Sequence, residues 1–155
     1  TWRAGTVCMA REPRWSAWER EVAGMFGGSL VVQSGRLPTH KGDVVSGGAL
    51  VDCKYTDAGL YRLTLPMWER LCEWSVNMGR EPVVAVSLRG REKVGVVRCT
   101  VASLMPSSLG AKDLGAGKTR AIRPGVAPAR FDIGGITLYA LPLEDVADAL
   151  SDRRV

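Results

Sequence analysis

Ala49-Leu50-Val51-Asp52-Cys53-Lys54-Tyr55 is the stretch on which the fold turns. It is apolar apart from one carboxylate and one amine, and glycines precede it. Runs of this kind read as β-strands. Strand side chains alternate faces, so Asp52 and Lys54 share one face while Val51, Cys53 and Tyr55 share the other, which looks like core. A carboxylate and a lysine on such a strand are costly to bury without partners. Upstream, Asp43 to Val45 reads as a strand that Ser46-Gly47-Gly48 turns back onto 49–55 as a hairpin, bringing Asp43 toward Asp52. Two neighbouring carboxylates repel, and a divalent cation relieves the repulsion. A lysine beside them can orient or deprotonate a water and offset charge on a phosphate. That is the equipment for metal-assisted phosphodiester hydrolysis. Asp-x-Lys alone is more often a surface ion pair, so the weight falls on its companions.

Working outward, Trp15, Trp18, Val22, Met25 and Phe26 recur at helical spacing, and Gly27-Gly28 ends the helix. Glu19 lies on the same side as part of that stripe, where a carboxylate needs a reason; Glu21 lies nearer solvent. Ser29 to Gln33 reads as a strand and Ser34 to Lys41 as a polar loop. A second helix spans Thr64 to Met78, with Thr64 as N-cap and Leu71, Trp74 and Met78 as its apolar stripe. Val83 to Leu88 reads as a strand buried on both faces, and Val94 to Val101 as another, reached through Arg89-Gly90-Arg91. Met105 to Arg130 is rich in glycine and proline with little periodicity, and reads as a long basic loop. Ile136 to Leu141 gives a last strand and Leu143 to Leu150 a short helix. The expectation is one α/β domain: a core over about 15–102, the basic loop over about 105–130, and a C-terminal strand and helix over about 131–155.

The chain has 155 residues and a formal net charge of +5. Its balance of 46% hydrophobic and 24% charged residues is globular, not disordered. No apolar run approaches the ~20 residues of a membrane span. The positive charge is concentrated in 89–130, which carries +7 against +1 for 1–88 and −3 for 131–155. That stretch reads as either a solvated loop or a nucleic-acid contact. Cys8, Cys53, Cys72 and Cys99 are widely spaced and His40 is the single histidine, so no zinc-site spacing occurs. Free, mostly buried thiols in a reducing, cytoplasmic setting are expected. Gly115 to Thr119 resembles part of a phosphate-binding loop but lacks its first glycine and a strand leading into it, so no nucleotide cofactor is expected. The five tryptophans read mainly as core or interface residues.

Glu19 on a first helix, then Gly42-Asp43, then Asp52-Cys53-Lys54, resembles the PD-(D/E)XK nuclease superfamily, and within it archaeal-type Holliday-junction resolvases. The stretch Ala17-Trp18-Glu19-Arg20-Glu21-Val22 is similar to that family's helix start, and 71–86 to its second helix and following strand. The likeness covers roughly 15–100. It implies a restriction-endonuclease-like domain, a mixed central sheet flanked by helices with an αβββαβ core. It implies that Glu19, Asp43, Asp52 and the Cys53 carbonyl bind Mg²⁺ or Mn²⁺, that Lys54 is the catalytic lysine, and that Ser34 takes a functional position. Departures are the absence of proline before Asp43, an aspartate at 52 where these resolvases usually carry glutamate, Gln33 where a basic residue is common, and a longer 34–41 loop. The implied activity is cleavage of branched double-stranded DNA by a homodimer. Arg36, Lys41, Arg62, Lys112, Lys118, Arg120 and Arg123 are candidate phosphate contacts. A flap, repair or restriction-like nuclease and an inactive DNA-binding protein on the same fold are the alternatives.

Overall fold

The computed structural model describes residues 14–31 and 43–151. The chain runs α1 (Arg14–Phe26), β1 (Ser29–Leu30), β2 (Val44–Val45), β3 (Ala49–Thr56), β4 (Tyr61–Thr64), α2 (Leu65–Met78), β5 (Glu81–Leu88), β6 (Glu92–Arg98) and α3 (Cys99–Ala102). A 3-10 turn (Pro106–Gly110) follows, then β7 (Lys112–Gly117), β8 (Thr119–Ile122), β9 (Ala129–Ile133), β10 (Ile136–Pro142) and α4 (Leu143–Leu150). Eight strands form one mixed sheet in the order β1-β2-β3-β5-β6-β10-β9-β7, and β4 with β8 makes a separate two-stranded ribbon. The β3–β5 and β7–β9 pairs are parallel; the others are antiparallel. This is the mixed α/β architecture expected from the sequence, a central sheet flanked by helices. Among the described residues no helix is long and apolar enough to cross a membrane.

The period-2 pattern sorts the core into two layers. Ala49, Val51, Val83, Ala85, Val97 and Leu141 face α1 and α4, where they meet Trp18, Val22, Phe26, Leu143 and Val146. Leu50, Val84, Val86, Val94, Val96 and Leu138 face α2 and the β4–β8 ribbon, against Trp68, Leu71, Leu63 and Ile122. β5 lies between β3 and β6 and is covered on both faces, which is why Val83 to Leu88 is buried throughout. Trp18 fixes α1 to the sheet: its indole is 3% exposed and its Nε1 donates to the Ala85 carbonyl at 3.3 Å. Gly28 is required where the chain leaves α1, because a Cβ there would stand 2.4 Å from the Val45 carbonyl oxygen.

Several local expectations are corrected. Met105–Arg130 is not one long loop: it contains the 3-10 turn, β7, β8 and the start of β9. Its glycines occupy irregular positions, Gly115 (φ 82°) at a bulge in β7 and Gly125 (φ 80°) in the 123–126 turn. The short strands β8 and β9 bury Ile122, Ala129 and Phe131, too short a pattern to show a period. Gly117 and Thr119 lie on two strands and no helix follows them, unlike a nucleotide-binding loop. The strand expected over 94–101 stops at Arg98, where α3 begins. Thr64 stands at the N-cap of α2 but makes no side-chain cap bond and belongs to β4, a strand the sequence reading did not contain. Cys53 and Cys72 are half-buried free thiols and Cys99 an exposed one, so the thiols are less buried than expected.

The β5–β6 hairpin closes through three residues, 89–91, between the paired Leu88 and Glu92; within it Arg89 (φ 57°) and Gly90 (φ 69°) are the centres of a turn in which the Arg91 N–H donates to the Leu88 carbonyl at 3.1 Å. Such turns prefer Asn, Asp or Gly at both centres. An arginine in the left-handed region costs about 1–2 kcal/mol. Among the described residues, Arg89 is the one non-glycine with positive φ.

Candidate active site

β3 is eight residues long and β2 only two, so β3 continues past its partner. The last ladder contacts between them are Val44 opposite Val51 and the Asp43 N–H donating to the Val51 carbonyl at 2.8 Å. One step further, the Asp43 side chain replaces the missing strand: its Oδ2 accepts the Cys53 N–H at 2.7 Å. In an antiparallel ladder one residue's N–H and C=O point to the same side. The Cys53 carbonyl therefore lies on the edge that Asp43 caps. Short β2 and long β3 together make this edge, and the acidic residue at the end of β2 is what fills it.

Three carboxyl groups meet there. Glu19, held by the Trp18-anchored α1, and Asp52 on β3 both lie close enough to Asp43 for its carboxylate to act on theirs. Burial pushes the Glu19 carboxyl up to about 7, helped by the charges of Asp43 and Asp52. Burial likewise pushes Asp52 up to about 6; Lys54 pulls it down and Asp43 pushes it up. Lys54 Nζ stands 3.5 Å from Asp52 Oδ1, with the carboxylate side chain 14% exposed and the lysine 35%. An ordinary surface ion pair has neither a buried carboxylate nor further acids behind it. Burial and then the charges of Asp43 and Glu19 raise the Cys53 thiol, which keeps it neutral. Tyr61 on β4 faces Asp52 closely enough to feel its charge, and burial with that charge raises its phenol. Tyr61 was missed in the sequence because β4 was missed.

The donors are carboxylate and carbonyl oxygens, the chemistry that suits hard divalent cations such as Mg²⁺ and Mn²⁺. Among the described residues no trio of acidic, cysteine or histidine side chains is set at the spacing of a finished metal cage. The three carboxyl groups crowd one another, and a cation in that place would relieve their repulsion.

The other candidates separate into groups. Ser34, Arg36 and Lys41, with His40, lie outside the described residues. Arg62 is exposed on β4 and donates to Thr119 Oγ1 at 3.4 Å, and Lys118 and Arg123 are exposed at the two ends of the partner strand β8. Arg120 is committed internally: its guanidinium lies 5.7 Å from the Phe131 ring centroid and donates to the Leu114 and Gly115 carbonyls at 3.1 and 3.2 Å. Lys112 is exposed on β7, at the opposite sheet edge from the acids. Glu21 is exposed and pairs with Lys93, as its solvent-side position suggested. A hollow of about 740 Å³, lined by residues such as Cys99, Leu104, Leu109 and Tyr139, contains none of the candidate catalytic residues.

No protein-family model and no curated protein sequence matches the chain. Among solved structures, it is similar in fold to Hjc of Archaeoglobus fulgidus, a Holliday junction resolvase from an archaeal hyperthermophile. The two share 16% sequence identity and a TM-score of 0.53, and the match covers 85% of this chain and 98% of that one. The mixed sheet with its flanking helices is thus a resolvase-like fold.

Proposed function

We propose that this protein is a metal-dependent, structure-specific DNA endonuclease that cuts branched double-stranded DNA, with four-way junctions as its substrate. The observation that carries the reading is the convergence of Glu19, Asp43, Asp52 and Lys54 at the edge of β3. Four residues from α1, β3 and the segment just before β2 meet there, with the pKa of two of the acids held well above the usual carboxylate range. Structural ion pairs do not need three mutually repelling acids. Nucleases that handle a polyanion with a cation do. The resolvase-like fold supports the branched substrate.

In this reading Glu19, Asp43, Asp52 and the Cys53 carbonyl hold Mg²⁺ or Mn²⁺, which when bound supplies Lewis acidity and a more acidic water. The chain's own residues do the rest. Asp43 braces the edge through the Cys53 N–H, which fixes the carbonyl beside it. Asp52 holds the Lys54 ammonium over the site, where it offsets charge building on the phosphate and orients the incoming water. Trp18 and the α1 packing keep Glu19 from swinging away. Arg62, Lys118 and Arg123 contact phosphates outside the cleft. A four-way junction takes two symmetrical cuts, so the working form is a two-fold homodimer. Sedimentation with and without junction DNA tests the dimer, and a monomer at micromolar concentration in both refutes it.

The function is tested by incubating the protein with a synthetic junction, a flap and a linear duplex in Mg²⁺. Preferential nicking of the junction is expected. Equal cutting of the flap or the duplex would make it a nuclease of another kind, and binding without cutting would make it an inactive relative.

A further inference from the structure

The strained β5–β6 turn carries a side chain that its backbone does not want. Arg89 occupies a left-handed position that Asn or Gly would fill without strain. Strain retained in this way points to a use for the side chain. The Arg89 guanidinium lies over Gly59, where an added Cβ would be 3.4 Å from Nη2. A second turn, Arg123–Val126, is tied to the same place: the Gly125 N–H donates to Glu92 Oε1 at 2.7 Å. That bond commits the one carboxylate on the hairpin's end. Ile122 pairs with Tyr61, so Arg123 follows on beside the Gly59–Leu60 segment. Arg89, Arg91 and Arg123 are all exposed. Among the described residues none of the three has a carboxylate ion-pair partner.

The position is fixed relative to the acids. β3 and β5 run parallel with Lys54 opposite Val86, and the Arg89 N–H donates to the Thr56 carbonyl at 2.8 Å. Arg89 is three residues beyond Val86, about 10 Å along the strand. That is about three base-pair rises of DNA.

We propose that Arg89, Arg91 and Arg123 form a clamp for the phosphate backbone of a duplex DNA arm, seated about three base pairs beyond the cleavage site. Guanidinium groups suit phosphate because their N–H forks match its oxygens in pairs. The proposal rests on the nuclease reading and adds to it a second anchoring point that sets where along the arm the acids act.

The test is equilibrium binding of a fluorescent junction in EDTA over a range of salt, with melting temperatures measured in parallel. The proteins are wild type, Arg89→Asn, the triple Arg89→Asn/Arg91→Gln/Arg123→Gln, and Arg70→Gln, an exposed arginine on α2, as a control for net charge. The triple variant is expected to bind at least about tenfold more weakly at 0.1 M salt, with the slope of log K against log salt reduced by about 2.7, or 0.9 per phosphate lost. Arg89→Asn alone relieves the turn, so it is expected to melt about 2–4 °C higher while still losing affinity and about 0.9 of slope. A stabilised protein that binds less well cannot be explained by damage to the fold. Unchanged affinity and slope in folded Arg89→Asn and triple proteins would overturn the clamp, even if wild type cuts junctions. Failure of wild type to bind DNA at all would overturn the clamp and the nuclease reading together. Arg70→Gln is expected to match wild type; an equal loss there would reduce the effect to net charge and also refute the clamp.

Discussion

Replacing Asp52 with asparagine should make the metal-free protein more stable while removing its activity. The carboxyl of Asp52 titrates near 6 in the folded chain against 3.8 ordinarily, chiefly because it is buried. A carboxyl whose folded-state pKa is raised in this way contributes stability that is complete below about pH 4 and is lost as pH rises through about 6. At pH 8 wild type therefore carries the full cost of an ionised buried acid, and asparagine, which does not titrate, carries none. The gap between 3.8 and about 6 sets a ceiling of about 3 kcal/mol at about 1.4 kcal/mol per pH unit. The Asp52 side chain is 14% exposed and the neighbouring Lys54 and Asp43 charges act on it in opposite directions, so about 1–3 kcal/mol is the working figure. That is a rise of about 2–10 °C in melting temperature for a domain of this size. The assay is thermal unfolding of both proteins in EDTA at pH 4.5 and pH 8. The difference should be large at pH 8 and small at pH 4.5. A variant that melts lower than wild type at pH 8, or a difference that ignores pH, would refute the reasoning.

Mg²⁺ or Mn²⁺ should raise the wild-type melting temperature at pH 8 and much less at pH 5, where protons compete for Glu19 and Asp52. Glu19→Gln should blunt that rise, and an equal metal response in Glu19→Gln and wild type would remove Glu19 from the site. Lys54→Ala should lose most cleavage but keep the metal-induced rise, whereas a structural ion-pair role would cost about 0–1 kcal/mol and no activity. Arg120→Ala should destabilise by about 1–3 kcal/mol, because it strips a guanidinium from Phe131 and two carbonyls; Lys118→Ala, on an exposed turn, should stay within about 0.5 kcal/mol, and chemical denaturation compares the two.

The parts of the fold that were legible are those with a long, unambiguous period. α1 showed its Trp18–Val22–Phe26 stripe, and β5 showed an unbroken apolar run that only a doubly covered strand explains. The pairing of Asp43 with the Asp52 strand was legible because a glycine turn separates two apolar runs. The approach of Asp43 to Cys53 was not, because it depends on β2 ending early. β4 was hidden by its length of four residues and by the helix that begins directly after it, and Tyr61 was hidden with it. β7 and β8 were hidden because glycines at a bulge and a turn gave the segment the composition of a loop. Arg120 illustrates the limit for charge: sequence counts it with Lys118 and Arg123, but a guanidinium can also be spent on an aromatic ring and backbone carbonyls of its own chain. The strain at Arg89 has no sequence signature beyond the dipeptide Arg89-Gly90, which reads as a turn without saying that its first residue pays for the position.

The central claim is that the acids at the edge of β3 cut branched DNA. It is tested most directly by following a synthetic four-way junction with wild type and with Asp52→Asn, side by side in Mg²⁺ and in EDTA. Wild type should release nicked duplexes in Mg²⁺ alone, and folded Asp52→Asn should bind the junction with equal or greater affinity and leave it intact. Cleavage by Asp52→Asn at the wild-type rate, or no cleavage by wild type in either Mg²⁺ or Mn²⁺, would contradict the account.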